Sequence, residues 1–162
     1  METKLQKALC QAAARIFEEI CFMFEAPELE EAFKDARIEA VASVEFHGPA
    51  DGSLVIRVYK GLLSAIAANM LGEEAPSKKQ CSDALGEIAN IICGNILPAI
   101  HGSKEVFLVD APQIIEDENQ LEDISEVEKT KEPLAKTEIV LDQGKADLLL
   151  YIHQDVALSK GE

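Results

Sequence analysis

Apolar residues recur along this chain with two periods. From Glu2 to about Phe24, Leu5, Leu9, Ala12, Ile16, Ile20 and Phe24 fall on one stripe, and Phe17 and Cys21 widen it. That spacing predicts a long amphipathic helix, with Pro27 just beyond its end. Glu28–Lys34 is acidic and reads as a helical turn or a linker. The period then changes to two. Ala40, Ala42, Val44 and Phe46 alternate with Glu39, Val41, Ser43 and Glu45, and Leu54, Ile56 and Val58 alternate with Val55, Arg57 and Tyr59. These are two strands, and the turn cluster Gly48-Pro49-Ala50-Asp51-Gly52 between them predicts an antiparallel hairpin.

Helical spacing returns at Gly61 to about Leu71, where Leu62, Leu63, Ile66, Ala67 and Met70 are apolar and Gly72 is the stop. A longer helix is predicted from Ser77 to Gly102. After it, Glu105 to Val109 reads as a strand that Ala111-Pro112 ends or confines to an edge. Residues 116–132 are acidic and poor in apolar side chains, the composition of a surface loop or flexible connector. Lys136–Leu141 and Lys145–His153 form a last hairpin across Asp142-Gln143-Gly144. Strands joined by tight turns, with helices collected on a face, predict an α+β sandwich: an antiparallel sheet of about five to six strands packed against long helices.

The helix at 77–102 has the least ordinary polar face. At about 100° per residue, Ala84, Leu85, Ile88, Ala89, Ile91, Ile92 and Ile96 share one arc, and Asp83, Gly86, Glu87, Asn90 and Gly94 share the opposite one. Gly86, Asn90, Gly94 and Asn95 together cost roughly 3 kcal/mol relative to alanines. A merely solvated face would carry Glu, Lys, Gln or Ala at lower cost. Small residues around a carboxylate and an amide make a helix surface that another molecule can approach closely. Asn95 points within the apolar arc and reads as structural, satisfying buried backbone groups.

Composition narrows the classes. With 162 residues, 48% of them apolar, the chain is expected to be a single domain with a real core. The net charge of −15 argues against nucleic acid and against anionic membrane surfaces as partners. No apolar run reaches the ~18 residues of a membrane span, and the N-terminus lacks the layout of a signal peptide, so a cytoplasmic location is expected. Cys10, Cys21, Cys81 and Cys93 form no C-x-x-C pair and read as buried small hydrophobes. Cys93 lies near the polar face, which leaves a redox or ligand role open. His47, His101 and His153 show no metal spacing, and no phosphate-binding glycine loop, G-x-S-x-G or H-E-x-x-H is present.

Asp83, Glu87, Asn90, Gly94 and Asn95 stand at the spacing of a known signature. The stretch S-D-A-L-G-E-I-A-N-I-I-C-G-N resembles the motif of the CheC, CheX and FliY chemotaxis phosphatases: Asp or Ser, three residues, Glu, two residues, Asn, then Gly-Asn. Pro112 matches the proline that this signature expects downstream, to within a residue. V-E-F-H-G-P-A-D-G-S-L-V-I and the following helix ending N-M-L-G also resemble the elements that precede the motif in CheX-like domains. One copy of E-x-x-N points to the CheX side of the family.

The resemblance implies hydrolysis of the aspartyl phosphate on a phosphorylated CheY-like receiver domain. Asn90 would orient the attacking water and Glu87 would pair with the receiver's lysine. Asp83, Gly86 and Gly94 would contact or admit the partner, Asn95 and Pro112 would be structural, and the chain itself would bind no metal or cofactor. Mg²⁺ is expected on the receiver. A two-fold homodimer, with sheets meeting edge to edge, is implied by the same resemblance. The alternative is a non-catalytic adaptor that binds a receiver or flagellar-switch component through the same helix. Either reading expects Glu87 and Asn90 to stand side by side, uncovered.

Overall fold

Among the described residues, three long helices form where the apolar period is 3.6 and end where the backbone chemistry requires. In a computed structural model that describes residues 3–101, 106–117, 119–122 and 132–153, helix α1 spans Lys4–Cys21, α2 Leu62–Leu71 and α3 Lys78–His101. Thr3 caps α1 in a reciprocal box with Gln6, and Ser77 and Gln80 do the same for α3, each satisfying two amide groups that the helix leaves free. Helix α1 stops three residues before Phe24 because Phe22 turns left-handed, with φ of 58°. Phe24 is therefore exposed and not on the buried stripe; Leu9, Ala13, Ile16, Phe17 and Cys21 form that stripe. The acidic stretch after α1 makes two 3-10 turns, Pro27–Leu29 and Glu31–Phe33.

Strands β1 (Ile38–His47), β2 (Gly52–Tyr59), β3 (Leu108–Val109), β4 (Gln113–Ile115), β5 (Ala135–Leu141) and β6 (Gly144–Ile152) build one antiparallel sheet. Their order is β3-β1-β2-β6-β5, and β4 also pairs with β1. The six strands agree with the expected α+β sandwich. The difference lies at the β1 edge, where a single strand over 105–109 was expected. Two short pieces, β3 and β4, are found instead, and Ala111-Pro112 separates them. Glu105 lies outside the described residues.

The register places Ala42, Ile56 and Leu148 side by side, so one face of the sheet carries Ala40, Val44, Phe46, Leu54, Val58 and Leu150 into the core with the helices. The apolar side of α3 enters the same core through Leu85, Ile88, Ala89, Ile92, Cys93 and Ile96. Lys78–Ile100 is long and apolar enough to cross a membrane by length and composition alone, but half of its most apolar stretch is buried inside the fold. Packing against the sheet accounts for its apolar character.

The opposite face of the sheet is not bare. Val41, Val55, Leu149 and Tyr151 form a second cluster, and Leu121 packs against it. Leu121, in the connection between β4 at one edge and β5 at the other, packs on the outer face. Residues 119–122 are helical; residues 118 and 123–131 of the acidic segment lie outside the described residues. On this face Asp147 is 4% exposed. The Tyr59 hydroxyl donates to it at 2.6 Å and Arg57 Nη2 pairs with it at 3.0 Å. Burial, and then the bond to Asp147, push the Tyr59 phenol well above its usual range.

Candidate functional site

Helix α3 presents two polar stripes that differ in what covers them. Asp83, Glu87 and Gly94 are exposed. Asp83 makes a surface ion pair with Lys79 at 3.4 Å, an interaction too exposed to contribute much stability. Among the described residues, nothing lies within 4 Å of a Cβ built on Gly94. A partner can approach the helix along this stripe, and the Glu87 carboxylate stands on it.

The second stripe, Ser82–Gly86–Asn90, repeats every four residues and faces the chain itself. Ser82 Oγ donates to the Glu116 carboxylate. Gly86 is buried, and a Cβ there would meet Pro112 Cγ at 3.0 Å, Pro112 Cβ at 3.7 Å and Ile114 Cδ1 at 3.8 Å. The expectation that Gly86 admits a partner is therefore corrected: Pro112 and Ile114 already occupy that approach. Pro112 in turn does more than shape a loop edge, since its ring packs on the helix. Asn90, the next residue on the stripe, is half-buried, and its Oδ1 is buried with no hydrogen-bond partner among the described residues. Glu87 is uncovered as expected, whereas the Asn90 amide is partly screened. A half-turn about Cβ–Cγ would exchange Oδ1 and Nδ2, so either atom can meet an incoming group.

Asn95 also differs from expectation. It is exposed; its Oδ1 accepts from Arg15 Nη2 at 2.5 Å and its Nδ2 donates to the Ile91 carbonyl at 2.8 Å. It ties α3 to α1 from outside the core, at the margin of the apolar arc, four residues after half-buried Ile91. Pro98 lies inside the helix and leaves the Gly94 carbonyl without its usual donor, which makes the exposed end of the motif still more polar.

The cysteines are free, with Cys21, Cys81 and Cys93 buried. Cys93 is on the core side and not near the polar face, and burial pushes its thiol up to about 11. It is an inert core residue. Sequence spacing missed one cluster: Glu45, His47 and Asp110 bring ligand-type atoms within 4.8 Å of one another. His47 Nε2 lies 3.1 Å from Asp110 Oδ2. This hydrogen bond, followed by the nearby acids, raises the His47 pKa above its ordinary value. Only the pairing of β1 with β3 brings these residues together. The His101 side chain lies outside the described residues.

A profile of the chemotaxis phosphatase CheX family matches residues 40–133, more than half of the chain. This chain belongs to the CheX family. Solved structures agree in fold. CheX from Desulfovibrio desulfuricans is 16% identical, with a TM-score of 0.66 over 93% of this chain and 100% of that one. CheX from Vibrio vulnificus is 17% identical, with a TM-score of 0.67 over 93% and 97%. The CheX of a CheX–CheY–BeF3–Mg²⁺ complex from Borrelia burgdorferi is 17% identical, with a TM-score of 0.61 over 91% and 96%. No curated protein sequence matches the chain significantly.

Proposed function

We propose that this CheX-family protein accelerates hydrolysis of the aspartyl phosphate on a CheY-like receiver domain, acting in the cytoplasm. One observation carries the reading. In mid-helix, beside exposed Glu87, Asn90 forgoes up to about 0.7 kcal/mol of helix propensity. Its buried Oδ1 also has no hydrogen-bond partner among the described residues, a state that costs about 1–3 kcal/mol. Groups left in this state are candidates for a role outside the fold.

In the reaction, a water oxygen bonds to phosphorus as the bond between phosphorus and the aspartyl oxygen breaks. Phosphate and a free carboxylate are the products, and the water's proton passes to phosphate or solvent. Such a transfer depends mostly on positioning and electrostatics. An amide suits it, because it donates and accepts hydrogen bonds without taking a proton at neutral pH. Asn90 would hold the water in line. Glu87 would pair with the receiver's lysine, and Asp83 would extend that contact. Gly94 would leave space for the partner's loops. Mg²⁺, bound by the receiver, would neutralise charge on the phosphoryl group.

Homodimerisation belongs to the same reading. Leu108 and Val109, exposed on β3 at the sheet edge, offer a surface for a second copy, and sedimentation would report a dimer. The functional test mixes substoichiometric protein with phosphorylated receiver and follows its decay. Acceleration over many turnovers supports the phosphatase. Binding without acceleration supports the adaptor alternative, and neither effect would end both readings for that receiver.

A further inference from the structure

The strap that follows β3 lies against the motif helix at two points, on one side of it. Its strand β4 is held by the sheet, with Gln113, Ile114 and Ile115 paired to Ser43, Ala42 and Val41. From that anchor, Glu116 bonds Ser82, and Pro112 with Ile114 covers Gly86. Ser82, Gly86 and Asn90 are spaced by four, so they stack along one line of α3. The strap runs back along this line toward Asn90. The Asn90 oxygen is buried, while Glu87, one turn earlier and about 60° around the helix, is bare.

We infer that Gly86 and Pro112 form a size-matched contact that positions Asn90. The missing side chain at 86 admits the proline ring, and the ring fixes the depth and orientation at which the asparagine amide meets the partner. Both are positioning residues: neither touches the reacting atoms. The inference rests on the phosphatase reading for its kinetic consequence, but its structural part can be read without activity.

The distances set the test. In Gly86→Ala the new Cβ lies 3.0 Å from Pro112 Cγ, closer than atoms in ordinary contact, so the ring must move. In Pro112→Ala the ring atom is gone and nothing is added. In the double variant the remaining contact, to the β-carbon of residue 112, is an ordinary 3.7 Å. A cycle of these three variants with the parent chain should be strongly non-additive. The side-chain amide signals of Asn90, assigned by comparison with Asn90→Asp in nitrogen-15 spectra, should shift in Gly86→Ala, broaden in Pro112→Ala and return toward the parent position in the double variant. With phosphorylated receiver, kcat should fall about tenfold in each single variant with KM nearly constant, and recover in the double.

Asn90 signals that stay unmoved in both single variants would overturn the inference. So would a double variant whose losses simply multiply. If the signals respond as expected but the parent chain leaves receiver decay unchanged, the contact positions Asn90 and the phosphatase reading is what fails.

Discussion

Gly86 and Gly94 occupy the same face of the same helix, two turns apart, for opposite reasons. Among the described residues, Gly94 has open space where a side chain would be; Gly86 has a proline from another part of the chain. Helix propensity charges both equally, at about 1 kcal/mol against alanine. The difference is tertiary. One glycine leaves the helix surface low and open, and the other keeps it low for the molecule's own strap. A polar helical face rich in small residues can thus serve two roles, and only the packed structure separates them.

The largest test of that division is Asn90→Ala. It should lower receiver dephosphorylation about a hundredfold while leaving the protein as stable as before or more so, because alanine restores helix propensity and removes the unbonded Oδ1. Urea denaturation alongside the kinetic assay checks both halves, and a loss of stability would mean that the fold needs the amide. Glu87→Ala comes next, with docking and turnover each weakened about tenfold and unfolding unchanged. Affinity for a beryllofluoride-activated receiver, read against kcat, separates the two effects.

The glycines themselves give the third test. Gly94→Ala should raise stability by about 1 kcal/mol, since its Cβ meets none of the described residues. Gly86→Ala should gain less than that or lose, because the Pro112 contact opposes the same propensity gain. Equal gains would erase the distinction drawn between them. Asn95→Ala removes an exposed bond to Arg15 and restores propensity, so its stability should change by no more than about 0.5 kcal/mol.

The smallest effect concerns His47, beside the strap. Its folded-state pKa is raised, first by the bond to Asp110. Its contribution is therefore fully present below the unfolded value near 6.5 and disappears as pH rises through the folded value. A small fall in stability on going up through that window, absent in His47→Ala, is the expected result.

Much of this architecture was legible from periodicity. Ala40, Ala42, Val44 and Phe46 alternate because one side of β1 is core, and the apolar arc of α3 is buried almost as its spacing predicts. What stayed hidden depends on long-range meetings. Pro112 packs on Gly86 from 26 positions away, β4 is too short to show a period, and Asp147 meets Tyr59 and Arg57 only through the pairing of β2 with β6. Phe24 falls off the predicted stripe because a left-handed Phe22 ends α1 where glycine would be the usual signal. At the site, residue types and spacing brought out Glu87 and Asn90, but they could not tell that one is bare and the other half-covered.

The most direct test of the central claim is the decay of a phosphorylated CheY-like receiver, followed with the parent chain and with Asn90→Ala at concentrations that saturate binding. The account predicts rapid decay with the parent and near-intrinsic decay with the variant at equal receiver occupancy. Equal acceleration by both proteins would contradict it.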